Sequence, residues 1–397
     1  MLSKRVRNLK PSAVMALGAR AKKLKNQGVD VISLSLGEPT WKTPESICAA
    51  GIQAIKEGYT RYTPAGGSEK LKQAIISYTK KWLGLNITSA QVTASIGAKF
   101  ILFSAIQSLC NPDEEVLIPT PCWVSYPSMV ELAQARMVPV PTYAKDHFKL
   151  KSDILKKHIT DKSKILILNS PNNPSGAVLN KSDLMSLGKV LIDHPQIYVL
   201  SDDIYNHLYF SGSMAPHILQ LYPDLKDRVL SINAASKNYS MPGWRLGWAV
   251  GNEELIGAMS KFQSQSVSCA SSISQEAVAY ALAQCDKELE EARYNLIKMK
   301  NLALSTFQKI KGLEVFPPEG AFYLWVNVKK LYSSSWKKGM INSSADFVEA
   351  LFQEKAVLCV PGEEFHYPGY VRIHFAVDEQ TWLSACDRIE SFISSLS

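Results

Sequence analysis

The stretch VLSINAASKNYSMPGWRLGWAVG, residues 229–251, holds two short apolar runs, VLSIN (229–233) and WAVG (248–251), joined by a polar turn. Runs of this kind, bounded by turn residues, read as strands buried on both faces. Between them stands Lys237, behind the small residues Ala234, Ala235 and Ser236, and Arg245 follows after Pro242-Gly243. A surface lysine is solvated and needs neither small neighbours nor a guanidinium. A lysine just past a strand, in a run free of other charges, can lose its proton and attack a carbonyl to form a Schiff base.

The same alternation extends in both directions. VISLSL (31–36), QVTASI (91–96), EEVLIP (114–119), RMVPV (136–140), KILILN (164–169) and IYVLS (197–201) are further strand-like runs, and AKFILFSAIQSLC (98–110) carries apolar residues at helical spacing. Strands alternating with helices predict an α/β fold with a mainly parallel sheet flanked by helices. Beyond about residue 285 charged helical stretches precede strands near 313–316, 322–327, 357–360 and 370–375, which predicts a smaller α+β lobe. The expected division is 1–45, an arm and a helix from about Ser12 to Gln27 packing with the small domain; 46–285, the large domain; and 286–397, the small domain.

A chain of 397 residues with net charge +8 has its basic residues dispersed, which argues against a nucleic-acid or membrane partner and for a surface that draws small anions. Seven cysteines, an odd number with no C-x-x-C pair, point to reduced thiols in a cytoplasmic protein and not to a disulfide framework or a zinc site; no metal is expected. The basic N-terminus reads as a docking arm ahead of an ordinary helix and not as a presequence.

Several strand-end loops carry chemistry, and in open α/β sheets ligands sit at the carboxyl ends of strands. In SDDIY (201–205) Asp202 ends a strand, so its carboxylate projects into the crevice and requires a cation, which a protonated pyridine nitrogen supplies. Tyr205 is placed to meet a phenolic oxygen on the same ring, whereas Asp203 reads as a helix N-cap. SPNNPSG (170–176) is a turn whose Asn173, held extended before Pro174, points its amide at a ligand. SIGAKF (95–100) opens a helix whose free amides bind anions, and Arg245 adds a bidentate contact suited to phosphate. Trp123 in PTPCWVSYP is either core or a ring-stacking group. Arg372 in YVRIHFA alternates with Val371 and Ile373, either exposed or set to grip a carboxylate.

In order along the chain, KPSAV, SLGEP, RYTPAGGSEKL, PCWVSYP, NSPNNPSGAV, SDDIY, ASKNYSMPGWRLGW, GAFY and VRIHFA resemble the class I/II aminotransferases of the fold-type-I pyridoxal-phosphate family, in the aspartate aminotransferase-like bacterial subgroup. The resemblance implies pyridoxal 5'-phosphate as cofactor, a seven-stranded type of large-domain sheet, and transamination between an L-amino acid, foremost aspartate or glutamate, and a 2-oxo acid such as 2-oxoglutarate. It implies that Lys237 binds the cofactor and shuttles the proton, that Asp202 pairs with the pyridine nitrogen, and that Tyr205 and Asn173 hold the ring hydroxyl oxygen. It implies that Trp123 covers the ring, that Ala98, Lys99 and Arg245 hold the phosphate, and that Arg372, Asn173 and the Gly37 amide hold the α-carboxylate. Lys99 resembles the residue that meets a distal carboxylate, and Tyr62 the one that reaches the neighbouring subunit's phosphate in a homodimer.

The chain departs from the family pattern in three places. Ala234 stands where a hydroxyl or glycine is common, with Ser236 as a replacement contact; Gly97-Ala98 replaces a glycine pair; and Val14 stands where prephenate-active members have a threonine. Broader or aromatic specificity and a C–S β-lyase are the rival chemistries, because one fold hosts many reactions. A non-catalytic regulatory module is the rival of another class.

Overall fold

The computed structural model describes residues 2–3, 6–7, 9 and 13–397, with the side chains of 13–15 outside the description. The expected first helix runs Ala13–Asn26; Ser12 and the side chain of Val14 lie outside the described residues.

Seven strands form the main sheet: β1 (Val92–Ser95), β2 (Glu115–Thr120), β3 (Arg136–Pro141), β4 (Ser163–Asn169), β5 (Tyr198–Asp202), β6 (Val229–Ala234) and β7 (Gly247–Val250). Their order is β1-β7-β6-β5-β4-β2-β3, parallel throughout except for β7, which runs antiparallel to both neighbours. The continuous apolar runs follow from burial on both faces. Ile118, Ile167 and Leu200 join one core with the helix Ala98–Leu109, while Leu117, Leu166 and Val199 join another with the helix Lys181–Asp193.

The reversed β7 positions the site. Because it runs backwards, its first residue, Gly247, lies at the carboxyl edge of the sheet, paired with Ser95 of β1 and Ala234 of β6. Arg245, two residues earlier, is thereby delivered to the rim where β1 and β6 end. Gly247 itself leaves no room for a side chain: a Cβ there would lie 2.5 Å from the Ala98 amide nitrogen and 3.0 Å from the Asn233 carbonyl oxygen. On the other side of β6, Asn169, Asp202 and Ile232 stand in register across β4, β5 and β6.

Four further strands, β8 (Glu314–Phe316), β9 (Tyr323–Asn327), β10 (Val360–Pro361) and β11 (Tyr370–His374), form an antiparallel sheet in the order β10-β11-β9-β8. Arg372 lies on β11 between Trp325 and Val360, in a strand buried along its whole length. The segment Ile32–Ser33 pairs in parallel with Val357–Leu358, and Ala21, Val31 and Leu34 share a core with Phe307, Phe347 and Trp382. The helix Asp286–Phe307 straddles two cores, with Leu289 packed on the main-sheet side and Leu296, Ala303 and Phe307 on the other. Among the described residues no helix is long and apolar enough to cross a membrane.

Gly247→Ala must push the Ala98 turn away from β6. The expected loss is about 1–3 kcal/mol of unfolding free energy, to be read from urea unfolding; unchanged stability would mean that the turn moves freely.

Candidate active site

Lys237, Asp202, Tyr205, Asn173, Trp123 and Arg372 line one cavity of about 170 Å³, together with Gly37 and Lys99. Five of these come from the ends of β4, β5 and β6 or from the loop after β2; Arg372 arrives from the second sheet.

Lys237 sits in the short helix Ala235–Asn238 that caps β6, and its Nζ donates to the Gly37 carbonyl at 2.5 Å. Burial pulls its pKa down to about 8; Arg372 and Arg245 push the same way, and the Glu38 carboxylate opposes them. About a tenth of the amine is therefore neutral and nucleophilic at pH 7, far more than for a solvated lysine.

Asp202 is 2% exposed. Its Oδ2 accepts from the Tyr126 hydroxyl at 2.6 Å, while its Oδ1 is buried with no partner. Burial pushes its pKa up to about 7, the Asp203 charge adds to this, and the Tyr126 bond works against it. No described lysine, arginine or histidine stands within ion-pair distance of Asp202. A buried carboxylate with an idle oxygen aimed into a cavity is a seat for a cationic N–H.

Asn169 at the end of β4 holds two of these parts, donating to the Asp202 carbonyl at 2.9 Å and accepting from the Asn173 amide at 2.8 Å. The Asn173–Pro174 peptide is cis. Tyr205 meets the Tyr323 hydroxyl at 2.9 Å. The Arg372 guanidinium donates to Asn173 Oδ1 at 3.0 Å and to the Ser35 carbonyl at 2.7 Å, lies 4.5 Å from the centre of the Tyr323 ring, and has a buried Nε with no partner. It has no carboxylate partner among the described residues, so its charge is available to an anionic ligand.

Four expected site residues stand outside this cavity. Ala98 begins the helix Ala98–Leu109, whose N-cap, Gly97, has φ +100° and offers no side-chain cap, leaving the first amides to a ligand. A Cβ on Gly97 would lie 2.6 Å from Arg245 Nη2. Arg245 is exposed, braced by the Pro242 and Ile96 carbonyls at 2.8 and 3.0 Å. Ser236 is buried beside Lys237, and Tyr62 is 91% exposed. The Lys99 ammonium lies 4.9 Å from the centre of the Trp123 ring, with its pKa lowered by burial and by Arg245.

One expectation fails. No helix follows Asp203; residues 204–207 form turns, and the Asp203 carboxylate accepts from the Ser201 and Ser231 hydroxyls at 2.7 Å each. Two buried hydroxyl donors, with His217 Nε2 3.2 Å away, hold it in place of helix amides. Tyr126, Asn169 and Tyr323 escaped sequence reasoning. Tyr126 follows Trp123 by three residues, but only the folded chain brings it to Asp202.

In the protein without added ligand, a small amine-directed reagent should modify Lys237 at a rate that climbs through pH 7 and levels off above about 9, following the neutral fraction around a pKa of about 8. Mass spectrometry across pH checks this; a rate still rising steeply at pH 10 would describe an ordinary solvated lysine.

The family description "Aminotransferase class I and II" matches residues 29–389. A Rickettsia bellii protein named probable aspartate/prephenate aminotransferase is 40% identical over 397 residues, covering 100% of both chains. Aspartate aminotransferase of Bacillus subtilis is 38% identical, with the same full coverage. Among solved structures, the aspartate aminotransferase of Rhizobium meliloti superposes with a TM-score of 0.96 at 36% identity, covering 100% of each chain, and that of Thermus thermophilus with maleate gives 0.92 at 33% identity and 99% of each. With a sheet, a lysine and a buried carboxylate so arranged, the chain belongs to the class I and II aminotransferases, enzymes that use pyridoxal phosphate to move amino groups between amino acids and 2-oxo acids.

Proposed function

We propose that this enzyme transfers the amino group of L-aspartate or L-glutamate to a 2-oxo acid such as 2-oxoglutarate, with Lys237 as the reacting base. The observation that carries this reading is one cavity holding a depressed lysine, a partnerless buried carboxylate oxygen and two cations, Arg372 and Lys99. The relatives named for aspartate, and the Thermus thermophilus structure with maleate, a dicarboxylate, support it.

The residues present fit pyridoxal phosphate. Asp202 Oδ1 suits a pyridinium N–H, and Tyr205 and Asn173 suit the ring hydroxyl oxygen, with Trp123 as the ring's cover. The uncapped amides of Ala98 and Lys99, with Ser236 and Arg245, suit the phosphate. Bound there, the cofactor supplies an electron sink for the pair left when the substrate's α C–H bond breaks. Asp202 keeps that sink cationic. Lys237 Nζ would hold the cofactor at rest and, once free, would be the base that takes the substrate's α-proton and returns it. Arg372 grips the α-carboxylate, with the Gly37 amide and Asn173 beside it, and Lys99 reads the second carboxylate.

A homodimer follows the same reading. Tyr62, 91% exposed in the single chain, reaches the neighbouring phosphate, and the second subunit covers the mixed cavity of about 760 Å³ lined by Phe100, Phe103 and Leu132 together with Lys99, Glu131 and Arg245. We divide the chain at residues 45 and 285 and place it in the cytoplasm, on its seven free cysteines. A second acceptor, prephenate, rests on the name of the Rickettsia bellii relative, and the Val14 departure speaks against it.

The test is one half-reaction. L-Aspartate added to the cofactor-loaded protein should bleach the visible band and release oxaloacetate in equal amount. Pyruvate and ammonia released from a single amino acid would assign a lyase instead. Lys237→Ala should fold and not turn over. Lys99→Met should lower kcat/KM for aspartate about 10²-fold, as loss of one buried charge partner does, and leave an uncharged amino acid little affected. An equal loss for both substrates would remove Lys99 from substrate recognition.

A further inference from the structure

Beneath the cavity lies a second, fully buried cluster of polar side chains: Tyr78, Asn206, His207, Asn233 and Asn238. Two of the asparagines directly follow site residues, Asn206 after Tyr205 and Asn238 after Lys237, and Asn233 lies on β6 four residues before the lysine. Three main-chain groups fix the direction of every bond in the cluster. The Ala234 amide donates to Asn233 Oδ1 at 2.8 Å, and the His207 amide donates to Asn206 Oδ1 at 3.0 Å, so both asparagines turn Nδ2 the other way. Both Nδ2 groups donate to the Tyr78 hydroxyl, at 2.9 Å from Asn206 and 3.4 Å from Asn233. With both its lone pairs taken, that hydroxyl must give its proton to His207 Nε2, 2.7 Å away. The third main-chain group, the Ser213 carbonyl 3.0 Å from His207 Nδ1, requires Nδ1 to carry the imidazole hydrogen, which leaves Nε2 free to accept. Burial pulls the His207 pKa down to about 4, in keeping with that neutral ring.

Asn238 closes the cluster. Its Nδ2 donates to Asn206 Oδ1 at 2.9 Å and to Asn233 Oδ1 at 3.4 Å. The turn that carries Tyr205, the end of β6 and the short helix that carries Lys237 are thus tied to one tyrosine on the helix Glu69–Leu83. Because the backbone fixes Asn206, Asn233 and His207, Asn238 must turn its Nδ2 inward to their oxygens, and its Oδ1 is left buried without a partner as the cost of that tie.

We propose that Tyr78, Asn206, Asn233 and Asn238 are positioning residues that fix Lys237 relative to Asp202 and Tyr205. The proposal rests on the reading of Lys237 as the reacting base. No member touches the cavity that holds Lys237. Their effect passes through the backbone of residues 205–206 and 237–238, and a misplacement of about 1 Å costs on the order of 10²-fold in rate.

The test uses cofactor-loaded Tyr78→Phe, Asn238→Ala and the double variant. Each single variant should lower the single-turnover rate with aspartate about 10²-fold while KM changes little. The pH midpoint of the visible cofactor band should rise, because a loosened Lys237 regains solvent. The double variant should lose far less than the product of the single losses, since both act through one network. Wild-type rate and midpoint in correctly folded variants would overturn the brace, as would strictly multiplicative losses. If Tyr78→Phe does not fold, Asn238→Ala carries the same readouts, because it removes only the side-chain amide at the end of the network. Lys237→Ala separates the two readings: retention of the lysine-dependent band in that variant would sink the site assignment, whereas its loss alongside unaltered brace variants sinks only the brace.

Discussion

A carboxylate held almost out of reach of water, with one oxygen left idle, is the constraint around which the site is arranged. Asp202 ends the central strand of the main sheet, where the apolar packing of both faces drives its pKa up to about 7. Such a group is costly unless a cation or a proton meets it. The chain supplies one hydroxyl, from Tyr126, and one held backbone carbonyl, through Asn169, but no ammonium or guanidinium. Under the proposed reading, a cationic N–H on a flat ring beside Trp123 would meet that requirement.

Most of the fold was legible because its signals are local. The apolar runs KILILN and IYVLS are strands since both faces are covered, and each strand-end loop carries its residue to the same edge. Orientation was not legible: WAVG reads the same in either direction, and only pairing makes β7 antiparallel and brings Gly247 and Arg245 to the rim. The cavity's lining was legible where a residue at a strand end reaches it, as with Asp202 and Lys237. It was hidden where a contact joins distant segments. Tyr126 reaches Asp202 across 76 positions and Tyr78 reaches Asn206 across 128, separations no spacing rule detects. Asp203 was misread for the same reason, because its serine partners sit on two strands.

The charges around the cavity favour anionic ligands. Lys99, Lys237, Arg245 and Arg372 converge there against Asp202 and Glu38, and each cation lowers the affinity of its neighbours for protons. A phosphate beside Arg245 and a carboxylate on Arg372 remove two of the influences that depress Lys237. An amine relieved of nearby positive charge holds its proton more tightly, so the pKa of Lys237 would then rise from about 8. The two arginines placed to attract anions thus also bear, after burial, on how tightly Lys237 holds its proton.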